Sequence, residues 1–110
     1  MLKTVFLTIA IVLLCLGQPG IANAQTISGA GSKTCRAFLQ SAELESTAAV
    51  DSYVSWAQGF ASGFNWANPG GREVRLDHAG LLHWLLQYCT ANPLEKFHQA
   101  AQAAVTLHAR

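Results

Sequence analysis

The first 24 residues constrain the rest of this chain most, because they have the pattern of an export signal. Lys3 gives a short positive start, residues 4–17 are apolar, and Ala22-Asn23-Ala24 has the small-x-small pattern of a cleavage site. The apolar stretch is shorter than the roughly 20 residues that a stable membrane span needs. We therefore predict cleavage before Gln25 and a periplasmic protein without a stable membrane anchor. Its folded chain would have 86 residues, 110 minus 24.

Cleavage of the signal would reduce the three cysteines to two. Cys15 would leave with the signal, and the alternative that it carries a lipid is disfavoured because two leucines precede it where lipoprotein signals have a small residue. Cys35 and Cys89 remain, and an isolated pair in an oxidising compartment predicts an intramolecular disulfide bond. The bond would close a loop of about 55 residues, which the chain-entropy model values at about 4 kcal/mol.

The charge of the mature chain is balanced. Of the seven Lys and Arg residues, one lies in the signal, so six bases offset six acids and the net charge is zero with the histidines neutral. No basic patch indicates a nucleic-acid partner. The low charge content also disfavours a disordered chain. We expect one compact domain over residues 33–110, preceded by a flexible leader over residues 25–32.

Apolar residues recur at helical spacing through most of the mature chain, whereas strand-like alternation is absent over any useful length. The sequence therefore predicts an all-α fold, a small single-domain bundle of about four helices with one disulfide. The predicted helices cover residues 33–42, residues 46 or 47 to 67, residues 77–91 and residues 93–108. Asp77 is the predicted N-cap of the third helix, and Asn92-Pro93-Leu94-Glu95 is the strongest helix-start signal in the chain.

The second predicted helix carries a stripe of small residues beside its apolar face. Gly59 and Gly63 lie on this stripe, with Trp66 at its end, and two glycines inside a helix cost about 2 kcal/mol relative to alanine. Two interpretations remain open: close approach of a neighbouring helix, or a shallow groove that receives a partner. The predicted partner or client surface consists of Trp56, Gly59, Phe60, Gly63, Phe64 and Trp66 with Leu81 and Leu85 of the third helix.

Catalytic and metal-binding patterns are not found. The stretch around Ser62 lacks a serine at the central position of a nucleophile elbow and falls in the middle of a helix. His78 and His83 point to different sides of their helix, while His98 and His108 are about 15 Å apart along theirs. We predict a protein that is not an enzyme, with no catalytic residue, no metal and no cofactor.

Several short segments stand out over residues 34–105: Thr34-Cys35-Arg36-Ala37-Phe38-Leu39, Gly59-Phe60 with Asn65, Val74-Arg75-Leu76-Asp77, Tyr88-Cys89-Thr90 and Phe97. Together they resemble the periplasmic acid-stress chaperones of the HdeA/HdeB family. The cysteine spacing and the order of helices carry most of this resemblance. The chain is also similar, less closely, to Tai-type periplasmic immunity proteins, which have a similar size and a glycine-containing helix.

The resemblance to the chaperones implies a homodimer at neutral pH that loosens in acid and exposes apolar surface to hold unfolding protein clients. In this chain, protonation of six carboxylates and four histidines would raise the side-chain charge from zero to about +10. The expected function is therefore that of an acid-stress chaperone. The alternative is a periplasmic protein-binding, inhibitor or immunity-type module that acts on one protein partner at neutral pH.

Overall fold

The computed structural model describes residues 26–110, so the predicted signal and Cys15 lie outside the described residues. Over this range the chain forms a short 3-10 turn and four α-helices, and no strand. The elements are the turn Gly29–Ser32, α1 Cys35–Glu43, α2 Thr47–Ala67, α3 His78–Ala91 and α4 Phe97–His108. The prediction of an all-α bundle of four helices is confirmed. Within the described residues, no helix is long and apolar enough to cross a membrane.

An aromatic cluster from three helices forms the centre of the core. The ring of Phe38 on α1 lies 5.2 Å from that of Tyr53 on α2 and 5.1 Å from that of Phe97 on α4, measured between centroids. Tyr53 and Phe97 meet edge to face at 4.9 Å, an arrangement that aromatic rings favour. Leu81 and Leu85 add the buried face of α3 to this core. All four helices therefore share one apolar core.

The predicted disulfide bond joins Cys35, the first residue of α1, to Cys89 near the end of α3. The two Cα atoms are 5.0 Å apart, within the usual range for a disulfide. Both residues are completely buried in the core cluster. The bond thus ties two helices that are 54 residues apart in sequence.

Two of the helices lie where the sequence predicts them, although the Ser46 side chain makes no capping hydrogen bond at the start of α2. α2 begins at Thr47 and ends at Ala67, as predicted. α3 follows Asp77, whose carboxylate accepts a 2.7 Å hydrogen bond from the backbone N–H of Gly80. These ends depend on residues next to each other in sequence, which is why the sequence alone identifies them.

The start of the last helix was predicted wrongly. The sequence indicated Pro93, but residues 93–96 form a turn and α4 begins at Phe97. The side chain of Gln99 accepts a 2.8 Å hydrogen bond from the backbone N–H of Lys96 and thereby caps this later start. The proline and the acid after Asn92 therefore belong to a connection rather than to a first helical turn.

Contacts with the start of α1 explain the later beginning of α4. A new helix leaves its first N–H groups without partners, and carbonyl groups of the 93–96 turn provide them for α1. Three backbone hydrogen bonds make the junction: Cys35 N–H to the Glu95 oxygen (2.8 Å), Arg36 N–H to the Pro93 oxygen (3.0 Å) and Phe97 N–H to the Lys33 oxygen (2.7 Å). This pairing bends residues 93–96 away from a helical path.

The prediction of a flexible leader up to residue 32 is also wrong for its last part. The turn Gly29–Ser32 contacts α2 and α4, and Gly31 is buried in this contact. A Cβ atom at Gly31 would overlap the indole ring of Trp56. The small residues that suggested flexibility therefore allow the backbone to lie directly against the tryptophan.

A side chain of α2 fixes the connection between α2 and α3. The amide of Asn65 makes two hydrogen bonds with the backbone of Val74: its Nδ2 donates to the oxygen (3.0 Å), and its Oδ1 accepts from the N–H (2.8 Å). Glu73 pairs in turn with Arg110 through two backbone hydrogen bonds of 2.9 and 3.1 Å. The connection is thus held to both α2 and the residues after α4.

Candidate functional site

An open groove runs between the later parts of α2 and α4, with a volume of about 760 Å³. We call this depression the α2/α4 groove. It is lined by Gly59, Phe60, Gly63, Phe64 and Ala67 from α2 and by Gln102, Val105 and Thr106 from α4. Its lining is mostly apolar or small, and two polar side chains lie on the α4 wall.

The two glycines of α2 face this open space. Both are exposed, and a Cβ atom added at Gly59 or at Gly63 would meet no other atom within 4 Å. The interpretation of the glycine stripe as a close helix crossing is therefore wrong. The tightly packed face of α2 lies to one side of the stripe, where Val54 and Ala57 are buried in the core. The groove interpretation describes the observed geometry.

Two phenylalanines form the apolar part of the α2 wall. Phe60 and Phe64 are half-buried, and the Phe60 ring stacks on Trp56 with a centroid distance of 5.6 Å. Because Phe60 packs on the core from one side and lines the groove from the other, its position is fixed by the fold. The groove is therefore preformed in this part of its wall.

Four of the eight residues predicted for the partner surface do not line the groove. Trp66 is 88% exposed but is not among the residues that line the groove. Trp56 is covered by residues 28–31, and its indole N–H donates a 2.9 Å hydrogen bond to the Ser28 oxygen. Leu81 and Leu85 are buried in the core. In this conformation only Gly59, Phe60, Gly63 and Phe64 belong to the predicted surface and also line the groove.

The α4 wall was not predicted as part of the surface. Val105 is 7% exposed on the inner side of α4, whereas Gln102 and Thr106 lie on its exposed side. Their contribution depends on α4 lying alongside α2, which is a long-range feature. The one sequence signal for the groove lies on its other wall, in α2, since residues 52–71 contain no Asp, Glu, Lys, Arg or His.

The α2/α4 groove is electrostatically neutral. None of its lining residues is ionisable. A buried charge without a counter-charge or hydrogen bonds is strongly unfavourable, so a charged ligand group would gain nothing here to offset its loss of hydration. The groove is suited to apolar and neutral polar groups.

A second depression, of about 520 Å³, lies near the end of α4 and has a charged lining. It is lined by Glu73, Arg75, Leu76, His108 and Arg110. Arg75 pairs with Glu73 at 3.2 Å, but the side chains are 85% and 43% exposed. Such exposed pairs contribute little to binding or stability.

Metal-binding side chains do not cluster in the part of the chain that the structure describes. Within residues 26–110, no group of three His, Cys, Asp or Glu side chains could hold a metal ion together. Of the four histidines, His78 lies 3.3 Å from the carboxylate of Asp51, and His108 contacts the Ala104 oxygen at 3.0 Å. We take the α2/α4 groove, with its mostly apolar or small lining, as the candidate site.

Comparisons with known proteins do not link the α2/α4 groove to a site of known function. The chain matches no family model, no curated protein and no solved structure.

Proposed function

We propose that this protein is an exported, non-enzymatic binding protein that holds apolar segments of other proteins in the α2/α4 groove. The observation that carries this proposal is the open groove itself, which is lined by two exposed glycines and two half-buried phenylalanines. Concave depressions with a mostly apolar lining are where ligands usually bind. The neutral lining favours protein segments over nucleic acid or other charged ligands.

Export is supported by residues 1–24 and by the buried disulfide bond, since such bonds are typical of oxidising compartments. Mass spectrometry of the periplasmic fraction of a bacterial host tests this part. We expect a mature protein that begins at Gln25 and is oxidised at both remaining cysteines. A protein that keeps residues 1–24 in the membrane fraction would contradict it.

Binding of unfolded proteins at neutral pH tests the main proposal. A chemically denatured model protein is diluted into buffer at pH 7, and its aggregation is followed by light scattering with and without the mature protein. We expect suppression at stoichiometric concentration, because the groove is already open in the native fold. Unchanged aggregation at a tenfold excess would contradict the proposal.

A second candidate function is that of an acid-stress chaperone, which opens further at low pH. The balance of charge favours it: the side-chain charge of the mature chain would rise from zero to about +10 in strong acid, which favours self-repulsion in a small domain. Loosening would then add Trp56, Leu81 and Leu85 to the exposed apolar surface.

The same aggregation assay between pH 7 and pH 2 separates the two functions. A neutral-pH binding module should act at pH 7 with native near-ultraviolet circular dichroism. An acid-stress chaperone should act only below about pH 3, where binding of an apolar dye rises and the near-ultraviolet signal falls. Native packing at pH 2 without any effect on aggregation would reject the acid-stress function.

A further inference from the structure

Residues 26–32 lie against the helical bundle, and we call them the N-terminal strap. Their sequence is Thr-Ile-Ser-Gly-Ala-Gly-Ser, and the turn Gly29–Ser32 contacts both α2 and α4. Gly31 is buried against the indole of Trp56, whereas all other residues of the strap are exposed or half-buried. The strap therefore covers Trp56 mainly with its backbone.

The strap is attached to the bundle by few interactions. Within the described residues, one hydrogen bond joins it to a helix, from the indole N–H of Trp56 to the Ser28 oxygen (2.9 Å). The strap has no charged residue, so no ion pair holds it. Ile27 and Ala30 are half-buried, and the buried residue Gly31 has no side chain. Since hydrophobic stabilisation is roughly proportional to the apolar area removed from water, the strap gains much less from its contacts than the helices do.

Ordering the strap is costly for its length. Every residue that is fixed in one backbone conformation loses entropy, and glycine loses the most. The strap contains Gly29 and Gly31, and Gly29 is held at a positive φ of 71°. Segments with few apolar contacts and an exposed backbone open locally, at a lower free energy than the whole fold. The strap has both properties.

The chain is firmly held directly after the strap. The Lys33 oxygen accepts a 2.7 Å hydrogen bond from the Phe97 N–H, and the Cys35 N–H donates a 2.8 Å hydrogen bond to the Glu95 oxygen. Cys35 is also bonded covalently to Cys89 in the buried core. A movement of residues 26–32 about Lys33 therefore leaves the helical bundle and its disulfide bond unchanged.

Trp56 is the residue that the strap covers. Phe60 stacks on its ring at 5.6 Å, and Phe97 meets it edge to face at 6.2 Å. With the strap displaced, the Trp56 ring and its N–H would face solvent beside Phe60, which already lines the α2/α4 groove. Tryptophan is enriched at the centres of protein interfaces, because it combines a large apolar ring with a hydrogen-bond donor.

We propose that the N-terminal strap opens about Lys33 while the disulfide-linked bundle stays folded, and that it thereby sets how much aromatic surface the protein exposes. In the closed state Trp56 is covered and only Phe60 of this stacked pair lines the groove. In the open state both rings of the pair are exposed. As regulation of binding, this inference rests on the proposed function, whereas the opening itself does not.

Native-state hydrogen exchange of the oxidised mature protein at pH 7 tests the opening. The NMR signals are the indole N–H of Trp56 and the backbone N–H of Leu85, which is buried in the core. We expect the indole to exchange at least 100-fold faster than Leu85, at a rate that stays constant in low urea while that of Leu85 rises. Urea accelerates only those openings that expose much surface.

Two results of the exchange experiment would overturn the proposal. A Trp56 indole that exchanges with the same urea dependence as Leu85 would mean that the strap opens only when the whole fold unfolds. An indole that exchanges as fast as that of Trp66, which is 88% exposed, would mean that the strap does not cover Trp56 at all.

Two alanine variants test whether removing the strap uncovers Trp56. Gly31→Ala places a Cβ where the indole ring lies, whereas Gly71→Ala, in the connection after α2, makes no contact closer than 3.4 Å. Both variants also carry Trp66→Phe and Trp84→Phe, so that Trp56 is the only tryptophan.

Acrylamide quenching of the Trp56 fluorescence is the measurement. We expect Gly31→Ala to raise the quenching constant at least threefold while the Leu85 N–H stays protected from exchange, and Gly71→Ala to leave the constant unchanged. Unchanged quenching in Gly31→Ala would overturn the proposal. Loss of the Leu85 protection in the same variant would overturn it as well, because the strap would then be part of the core.

The aggregation assay at pH 7 separates this inference from the proposed function. We expect Gly31→Ala to reach half-maximal suppression at a concentration at least threefold lower than the native protein or Gly71→Ala. Equal suppression by all three would overturn the control of binding by the strap. If none of them suppresses aggregation, the proposed function fails, and the exchange and quenching results decide whether the strap opens.

Discussion

The indole N–H of Trp56 donates a 2.9 Å hydrogen bond to the carbonyl oxygen of Ser28, 28 residues earlier in the chain. This bond holds the N-terminal turn over a tryptophan that otherwise extends the apolar surface of the α2/α4 groove. Since Phe60 stacks on Trp56 and also lines the groove, the turn and the groove share one aromatic wall. Alanine at Gly31, beside the indole, should therefore lower stability, whereas alanine at Gly59 or Gly63, in the groove, should raise it.

Gly31→Ala should lower the free energy of unfolding by about 1–3 kcal/mol, because overpacking at a filled site forces the structure to shift. The new Cβ would overlap the indole ring of Trp56, which is held by its hydrogen bond to Ser28. Urea unfolding followed by tryptophan fluorescence measures the change. Stability equal to that of the native protein would mean that the turn does not pack on Trp56 in solution.

Gly59→Ala and Gly63→Ala should each raise the free energy of unfolding by about 0.5–1 kcal/mol, because alanine is a better helix former than glycine. Neither new Cβ would meet another atom within 4 Å. The same urea experiment measures both variants, and Gly31→Ala provides the control for a filled site. Destabilisation by either substitution would restore the rejected close-crossing interpretation of α2.

The elements that the sequence predicts well are those whose signals are local. The limits of α2 and the Asp77 cap of α3 depend on residues within one helical turn. The start of α4 and the packing of the turn Gly29–Ser32 depend instead on contacts between residues far apart in sequence. The hydrogen bond between Ser28 and Trp56 is one of them. An apparent helix start at Pro93 was misleading because its carbonyl group serves the start of α1.

The candidate site was predicted only in part, because only its α2 wall has a local signal in the sequence. Helical spacing placed Gly59, Phe60, Gly63 and Phe64 on one side of α2, which is a local property. Whether that side faced another helix or solvent depends on how the bundle packs, and the sequence left both possibilities open. The α4 wall, including Gln102, follows from the placement of α4 beside α2 and has no local signal.

Asn65→Asp should lower the free energy of unfolding by about 1–3 kcal/mol, because it leaves a partly buried acceptor without its donor. The amide of Asn65 donates to the Val74 oxygen, whereas a carboxylate there would face that oxygen with another acceptor. Only the hydrogen bond from the Val74 N–H would remain. Ser62→Asp, an exposed change on the same helix, is the control. Similar stability of the two variants would contradict the role of Asn65.

Stability should fall in alkali, and Tyr88 should contribute to the fall. The hydrogen bond to Glu95, followed by burial and the negative charge of that carboxylate, raises the pKa of Tyr88 above 10.0. Because the pKa is raised in the folded state, the stabilisation is fully present below about pH 10 and is lost as the pH rises through the folded-state pKa. Burial raises the pKa of Tyr53 as well, in the same direction.

Urea unfolding at several pH values between 8 and 11.5 measures this effect on the native protein and on Tyr88→Phe. The variant should show a smaller loss of stability in the alkaline range, because it has no Tyr88 hydroxyl to ionise. Glu95→Gln is an informative control, since it keeps an acceptor for the hydroxyl but removes the charge. An identical pH dependence for Tyr88→Phe and the native protein would contradict the prediction.

Cys89→Ser should lower the free energy of unfolding by about 2–5 kcal/mol, because the bond to Cys35 closes a long loop in the unfolded chain. Alkylation in denaturant without reductant should leave both cysteines of the mature native protein unmodified, and mass spectrometry detects the result. The double variant Cys35→Ser/Cys89→Ser should be about as unstable as the single one, because either change removes the same bond. Two alkylated thiols in the unreduced protein would show that the bond does not form.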